Sequence, residues 1–178
     1  MAYLIVGLGN PGEAYENTRH NTGRMMAAWF AEKTEAKKSA YKVAVPDTYM
    51  NNSGGAVKKL VPSVKAAEKL IVVHDDLDMP LGAIKVSWNR GPGGHNGVLS
   101  IQKALKTEAF TRIRVGISPS TPNGKLKKPA GAEAVEKFIL GEFTKKEMEV
   151  LKKVSKKVTE AIEIILKEGT QRAMNVCN

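Results

Sequence analysis

Cysteine is almost absent from this 178-residue chain: Cys177 stands alone, one residue from the end. One thiol cannot build a disulfide framework. Its place argues for neither a zinc site nor a catalytic nucleophile, and it reads as a tail residue. Long hydrophobic runs are missing too. The most apolar stretches, "YLIVGLG" and "AIEIIL", fall far short of the roughly 20 residues a membrane helix needs. No charged leader and apolar stretch precede the first strand-like segment, so the expected setting is the cytoplasm, with no membrane partner. There is no G-x-S-x-G anywhere, which leaves a serine hydrolase without its nucleophile. Acidic residues are the minority charge: 18 Asp and Glu against 28 Lys and Arg give +10. Residues 101 to 178 alone hold 16 basic and 9 acidic residues. A surplus of that size favours a polyanionic partner, most often nucleic acid.

What is present is ordinary for a globular protein. Apolar residues make up 42% and charged residues 26%, and nothing in the chain argues for a cut, so residues 1–178 read as a single domain. Short β-branched runs, "YLIVG", "YKVAV", "KLIVVHD", "AIKVSW" and "RIRVGIS", alternate with helical patterns in "GRMMAAWFAEKT", "GGAVKKLV" and "NGVLSIQKAL". That alternation predicts an α/β fold: a twisted, mixed, largely parallel sheet with helices on both faces. Ligands in such sheets collect where loops leave the carboxyl ends of strands. The loops of interest are therefore 8 to 22, 46 to 53, 74 to 82 and 89 to 97. Near the end, Thr144 and Glu147 form a capping-box pattern that opens a long amphipathic helix closing at Gly169. Its apolar face runs through Leu151, Val154, Val158 and Ile162, with Lys152, Lys153, Lys156 and Lys157 opposite. "SPSTPNGKLKKPAGA" reads as a surface loop.

The first loop holds "GLGNPG", which fits the G-x-G-x-x-G of a dinucleotide-binding turn with Gly7, Gly9 and Gly12. That motif works because a helix begins inside the turn and aims its amides at pyrophosphate. Here the glycines lead into "EAYENTRHNTG", a polar run without apolar period, and a helix is expected only from about Thr22. The acidic residue at about the right distance, Glu32, falls inside that helix instead of at a strand end. The pattern has lost its context, and no organic cofactor is expected.

The loop does carry chemistry: Asn10, Tyr15, Arg19, His20 and Asn21 lie close together in it. Water is the expected attacker in any hydrolysis, with His20 as base. "VVHDDLDMPLG" ends a strand with His74, Asp75, Asp76 and Asp78, where an orienting carboxylate would stand. Those four also have the residue types of a Mg²⁺ or Zn²⁺ site. Strand alternation points His74 and Asp76 one way and Asp75 the other, so no metal is expected. "RGPGGHNG" is a glycine-dense turn that offers a phosphate cradle, or Asn96 as a helix cap. "TYMNNSGG" sets Tyr49, Met50 and Asn51 just before a helix.

Four segments in this order, "VGLGNPGEAYENTRHNTG", "YMNNSGGAV", "HDDLDMPLG" and "GPGGHNG", followed by "RIRVGIS" and "EKFILGEF", together resemble bacterial-type peptidyl-tRNA hydrolase over nearly the whole chain. The resemblance implies hydrolysis of the ester between a peptide and the 3′-terminal ribose of tRNA. It implies that His20 is the general base, that Asp75 fixes its imidazole, and that Asn10 separates N-blocked peptidyl from free aminoacyl groups. Tyr15, Tyr49, Asn51 and Asn96 match substrate-contacting positions, Met50 lines the cleft, and Arg114 matches a clamp on tRNA phosphate. It further implies a monomer without metal or cofactor. The competing reading is an RNA-binding module without catalysis. The chain departs from typical members in two places. The segment before Tyr49 keeps one strand-like run where they have a hairpin, and Ser87 stands where they often carry a tRNA-contacting lysine, a place that Arg90 or Lys85 would have to fill.

Overall fold

The computed structural model describes residues 2–178. Five strands form one sheet in the order β2-β1-β3-β5-β4. They are β1 (Tyr3–Gly7), β2 (Tyr41–Ala44), β3 (Leu70–Pro80), β4 (Ile84–Trp88) and β5 (Thr111–Ser118). All neighbours run parallel except β4, which lies antiparallel to β5. The shortened segment before Tyr49 supplies the single edge strand β2, paired with β1.

The β-branched runs become strands because consecutive residues bury on opposite faces. Ile5, Ile71 and Val73 enter one core with Met26, Phe30, Leu151 and Ile162; Val6, Leu70 and Val72 enter the other with Val98 and Ile101. Helices α1 (Thr22–Lys33), α6 (Lys145–Glu168) and α7 (Thr170–Cys177) cover the first face, and α2 (Ser53–Leu60) and α4 (Asn96–Leu105) the second. Two short helices, α3 (Val64–Ala67) and α5 (Ala132–Ile139), complete the order. Helix α6 opens on the expected capping box, with Thr144 Oγ1 accepting from Glu147 N and Glu147 accepting from Thr144 N.

Gly7 of "GLGNPG" is explained by packing, whereas Gly12 has open space around it and a φ of 100°. A Cβ on Gly7 would collide with the Gly23 carbonyl and Ala27, and one on Gly23 with the Val73 carbonyl. Helix α1 therefore lies directly against β1 and β3, and it starts at Thr22, well past the glycine turn, as the loss of the cofactor motif requires.

Three expectations need correction. The tail is helical: α7 packs on the sheet, and Cys177 lies against the core. Helix α5 occupies a segment with no predicted helix. His74–Pro80, placed among the loops, continues β3, because "HDDLDMP" pairs with β5 from His74↔Arg114 to Asp76↔Gly116 and again at Pro80↔Ser118.

Candidate active site

Strand β1 leaves its neighbour β3 after Gly7↔Val73, while β3 runs on. The chain goes from β1 to one side for β2 and to the other for β3, so the gap beyond Gly7 lies at the switch point where open α/β sheets bind ligands. Asp75 is the second residue past that gap. His20 faces it from a one-turn helix, Arg19–Asn21, and Nδ1 of His20 lies 3.1 and 3.0 Å from the two Asp75 carboxylate oxygens. A carboxylate only accepts, so Nδ1–H donates and Nε2 keeps its lone pair for the cleft.

The turn carrying His20 is held from both sides. The Arg19 guanidinium lies 4.4 Å from the Phe138 ring centre and 5.5 Å from that of Phe143, and pairs with Glu147 at 3.2 Å. Asn21, buried, accepts from Asn10 N at 2.8 Å and donates to Asn10 O at 2.9 Å. The Asn10 side chain in turn accepts from Met50 N through Oδ1 at 2.8 Å. Its oxygen is thus engaged, and Asn10 presents the cleft with its Nδ2 donor.

His95 is a part of this site that its sequence context did not reveal. It, and not Asn96, caps α4: its Nδ1 accepts from Gly97 N at 3.2 Å and Val98 N at 3.3 Å. The proton is therefore on Nε2, which donates to Asp75 Oδ1 at 2.8 Å. The only available signal was collective. The chain has three histidines, and all three meet here, with ring centres of His20 and His95 5.0 Å apart and those of His74 and His95 4.7 Å apart. His74 donates from Nδ1 to the Asp75 carbonyl at 2.7 Å, and its buried Nε2 has no partner among the described residues.

Electrostatics follow from this arrangement. Burial pushes Asp75 up, but the two imidazoles and their hydrogen bonds outweigh it and hold the carboxyl far below its ordinary range. Burial pushes His20 down, yet the Asp75 charge and hydrogen bond leave it raised above 6.5. His74 is lowered well below 6.5, first by burial and then by neighbouring His95 and Arg112, so it stays neutral.

His20, Asp75 and His95 each offer a ligand atom within 4.8 Å of the others. Two of those atoms are ring nitrogens that carry the protons bonded to Asp75, which suits a hydrogen-bonded trio and not a cation. The aspartates of "HDDLD" disperse: Asp76 accepts from Arg114 Nε at 2.6 Å, and exposed Asp78 pairs with Lys128.

The cleft has two arms sharing His20, Asn96, Val135 and Ile139, the latter two from α5. One, of about 600 Å³, holds Asn10, Tyr49, Met50 and Asn51. The other, of about 350 Å³, holds His74 to Asp78, Pro92 to His95, and Lys128. Tyr15 stacks edge-on to the mostly exposed Tyr49, ring centres 6.2 Å apart. Arg114 lies apart from these residues, on Asp76. Opposite Arg114 across the β4–β5 pair is exposed Lys85, and opposite Arg112 is Ser87, buried with its hydroxyl unpartnered among the described residues.

An α/β fold with an imidazole–carboxylate couple at its switch point, walled by amides, defines the class: a hydrolase fold equipped to deprotonate water. Comparison gives the particular family. The family model described as peptidyl-tRNA hydrolase matches residues 4–178. The chain is 39% identical to the peptidyl-tRNA hydrolase of Sulfurihydrogenibium sp., covering 100% of this chain and 98% of that one. It is 41% identical to that of Fervidobacterium nodosum, covering 98% and 95%. The solved peptidyl-tRNA hydrolase of Acinetobacter baumannii is similar to it at TM-score 0.82 and 29% identity, over 98% of this chain and 93% of that one. The chain belongs to the peptidyl-tRNA hydrolase family.

Proposed function

We propose that this protein hydrolyses the ester joining a peptide's carboxyl end to the 3′-terminal ribose of tRNA. The observation that carries the reading is the buried His20–Asp75 pair, which leaves Nε2 of a neutral imidazole facing a cleft walled by asparagine amides. Nε2 takes a proton from water, the hydroxide adds to the ester carbonyl, and the imidazolium is stabilised by Asp75. The same proton passes to the departing ribose oxygen as the tetrahedral intermediate collapses, giving a free peptide acid and tRNA. Asn10 Nδ2 donates to a carbonyl of the blocked substrate, and a donor in that place disfavours the ammonium of a free aminoacyl group. Asn51 and Asn96 match further amide groups of the peptide, Met50 packs the floor of the cleft, and the Tyr15–Tyr49 pair forms its rim. Arg114 and Lys85 receive phosphate, and the +10 net charge supports tRNA attraction at long range.

A binding module without catalysis has no use for a charge-stabilised imidazole buried beside Asp75. We also infer a monomer working in the cytoplasm, from the family reading; among the described residues no helix is long and apolar enough to cross a membrane. The test incubates the protein, with and without EDTA, with N-acetyl-aminoacyl-tRNA and with free aminoacyl-tRNA. Hydrolysis of the blocked substrate, little of the free one, and no chelator effect are expected. Equal activity in His20→Ala sinks the mechanism.

A further inference from the structure

A strand at the rim of a sheet turns half of its backbone donors and acceptors outward, a ready template for another strand. Strand β4 is such a rim, paired with β5 alone. The Ala83 carbonyl accepts from Gly116 N at 2.9 Å, so by antiparallel alternation Ala83, Lys85 and Ser87 direct their backbone groups to β5, while Ile84, Val86 and Trp88 aim theirs outward. The middle one of those three is closed. Asn178, directly after α7, lays its side-chain amide on the edge: Oδ1 accepts from Val86 N at 2.8 Å, and Nδ2 donates to the Val86 carbonyl at 2.9 Å. One primary amide thus offers Val86 the donor and acceptor that a neighbouring strand would offer. This plug is held from behind. The Thr170 hydroxyl at the start of α7 shares a hydrogen bond with that of Thr111 in β5 at 2.6 Å, Ala173 is fully buried, and Met174 and Cys177 pack against the core.

We propose that the outer edge of β4 is a pairing surface for a second copy of this chain, and that the Asn178 side chain keeps it closed. The residues of the edge point to a second copy as the occupant, because the strand is complementary to itself. An antiparallel two-fold pairing centred on Val86 sets that residue opposite its own counterpart, each donating to the other's carbonyl through the same two groups that Asn178 now engages. In that register Ile84 stands opposite the second copy's Trp88, an aliphatic residue against an aromatic one, on the face that Val86 shares. On the other face Lys85 stands opposite the second copy's Ser87, so no like charges meet. Lys85 is the only charge along β4, a weak deterrent to strand addition. The amide of Asn178 supplies the stronger one, and the monomer inferred above is a state that this side chain maintains.

Two measurements on the full chain test this. Amide hydrogen exchange on the wild type reads the plug: Val86 should exchange at least about 10-fold more slowly than Ile84 and Trp88, which face the same way, and equal exchange at all three overturns it. That arm needs no substitution, so it can refute the plug however a variant folds. Sedimentation between about 1 µM and 1 mM reads the surface. The wild type is expected to stay monomeric, while Asn178→Ala, and Asn178→Asp, which loses the donor to the Val86 carbonyl, form dimers with a Kd below about 1 mM. Adding Trp88→Lys to Asn178→Ala sets a charge in the pairing edge and should restore the monomer. Monomers in both Asn178 variants, a wild type that dimerises as readily, or a double variant that still dimerises would each refute the proposal. Hydrolysis of N-acetyl-aminoacyl-tRNA is read separately, so the function and the edge can fail independently.

Discussion

Replacing Asp75 by asparagine changes one oxygen to an amide nitrogen, and the hydrogen bonds around it dictate the outcome. Asp75 accepts from two imidazoles, His20 Nδ1 and His95 Nε2. An asparagine that keeps its oxygen at the Oδ1 place, within reach of both rings, puts its NH₂ at the Oδ2 place, 3.0 Å from His20 Nδ1. His95 cannot change tautomer freely, because its Nδ1 lone pair is occupied by Gly97 N and Val98 N. The asparagine oxygen therefore stays with His95, and its NH₂ faces His20 Nδ1. His20 responds by moving its proton to Nε2, which removes the lone pair that attacks water. Returning to the working tautomer sets two buried donors against each other, at about 1–3 kcal/mol each. A combined cost of about 4 kcal/mol lowers kcat roughly 10³-fold.

Rates on N-acetyl-aminoacyl-tRNA and the ¹⁵N shifts of the His20 ring test this together. Adding His95→Phe to Asp75→Asn frees the oxygen to return to His20, and about ten-fold of the activity should reappear. Retention of more than about a tenth of wild-type kcat in Asp75→Asn would refute this tautomer conflict. So would a double variant that loses what the single losses sum to.

The raised pKa of His20 places the acid limb of kcat/KM above pH 6.5, with activity rising as the base deprotonates; a limb centred below 6.5 in the wild type would contradict the Asp75 pairing. Neutral, buried His74 works through stability. The unfolded chain takes up a proton below pH 6.5 that the native state refuses, so stability falls on acidification by up to about 1.4 kcal/mol per pH unit. His74→Phe should flatten that slope in urea titrations at pH 7 and 5.5. Stability held by the raised His20 is lost in the opposite sense, as pH rises through its folded pKa, so the two windows separate. Asn10→Asp keeps the bond from Met50 N but replaces the free donor by a charge. Turnover of the blocked substrate should drop about 10²-fold and the preference over free aminoacyl-tRNA should narrow, measured as a ratio of kcat/KM. Thr144→Ala removes the cap of α6 and should cost about 1 kcal/mol, lowering Tm by about 2–4 °C in a thermal melt.

The strands were legible because "YLIVG", "LIVV" and "RIRVGIS" bury alternate residues on both faces, which a β-branched run announces. Helix α4 begins at Asn96 and α1 at Thr22 as their apolar spacing requires. Helix α5 escaped because it has no buried residue; its Val135 and Ile139 face the cleft, so their spacing does not record a core. The outer half of β3 escaped because its residues are polar and its pairing with β5 is a long-range fact. At the site, His20 could be named from its loop, whereas Asp75 was set apart from His74, Asp76 and Asp78 only by the family resemblance. His95 could not, because its role depends on a helix start and a carboxylate 20 residues away meeting the same ring.

Arg19 gives the neighbouring base an unusual anchorage. It lies against Phe138, whose carbonyl it also approaches at 3.4 Å, on the helix that roofs both arms. The residue next to the base is thus fastened to the cover of the cleft. Any excursion of α5 wide enough to break that grip also slackens the turn that aims His20. The cover of both arms and the aim of the base therefore share one fastening.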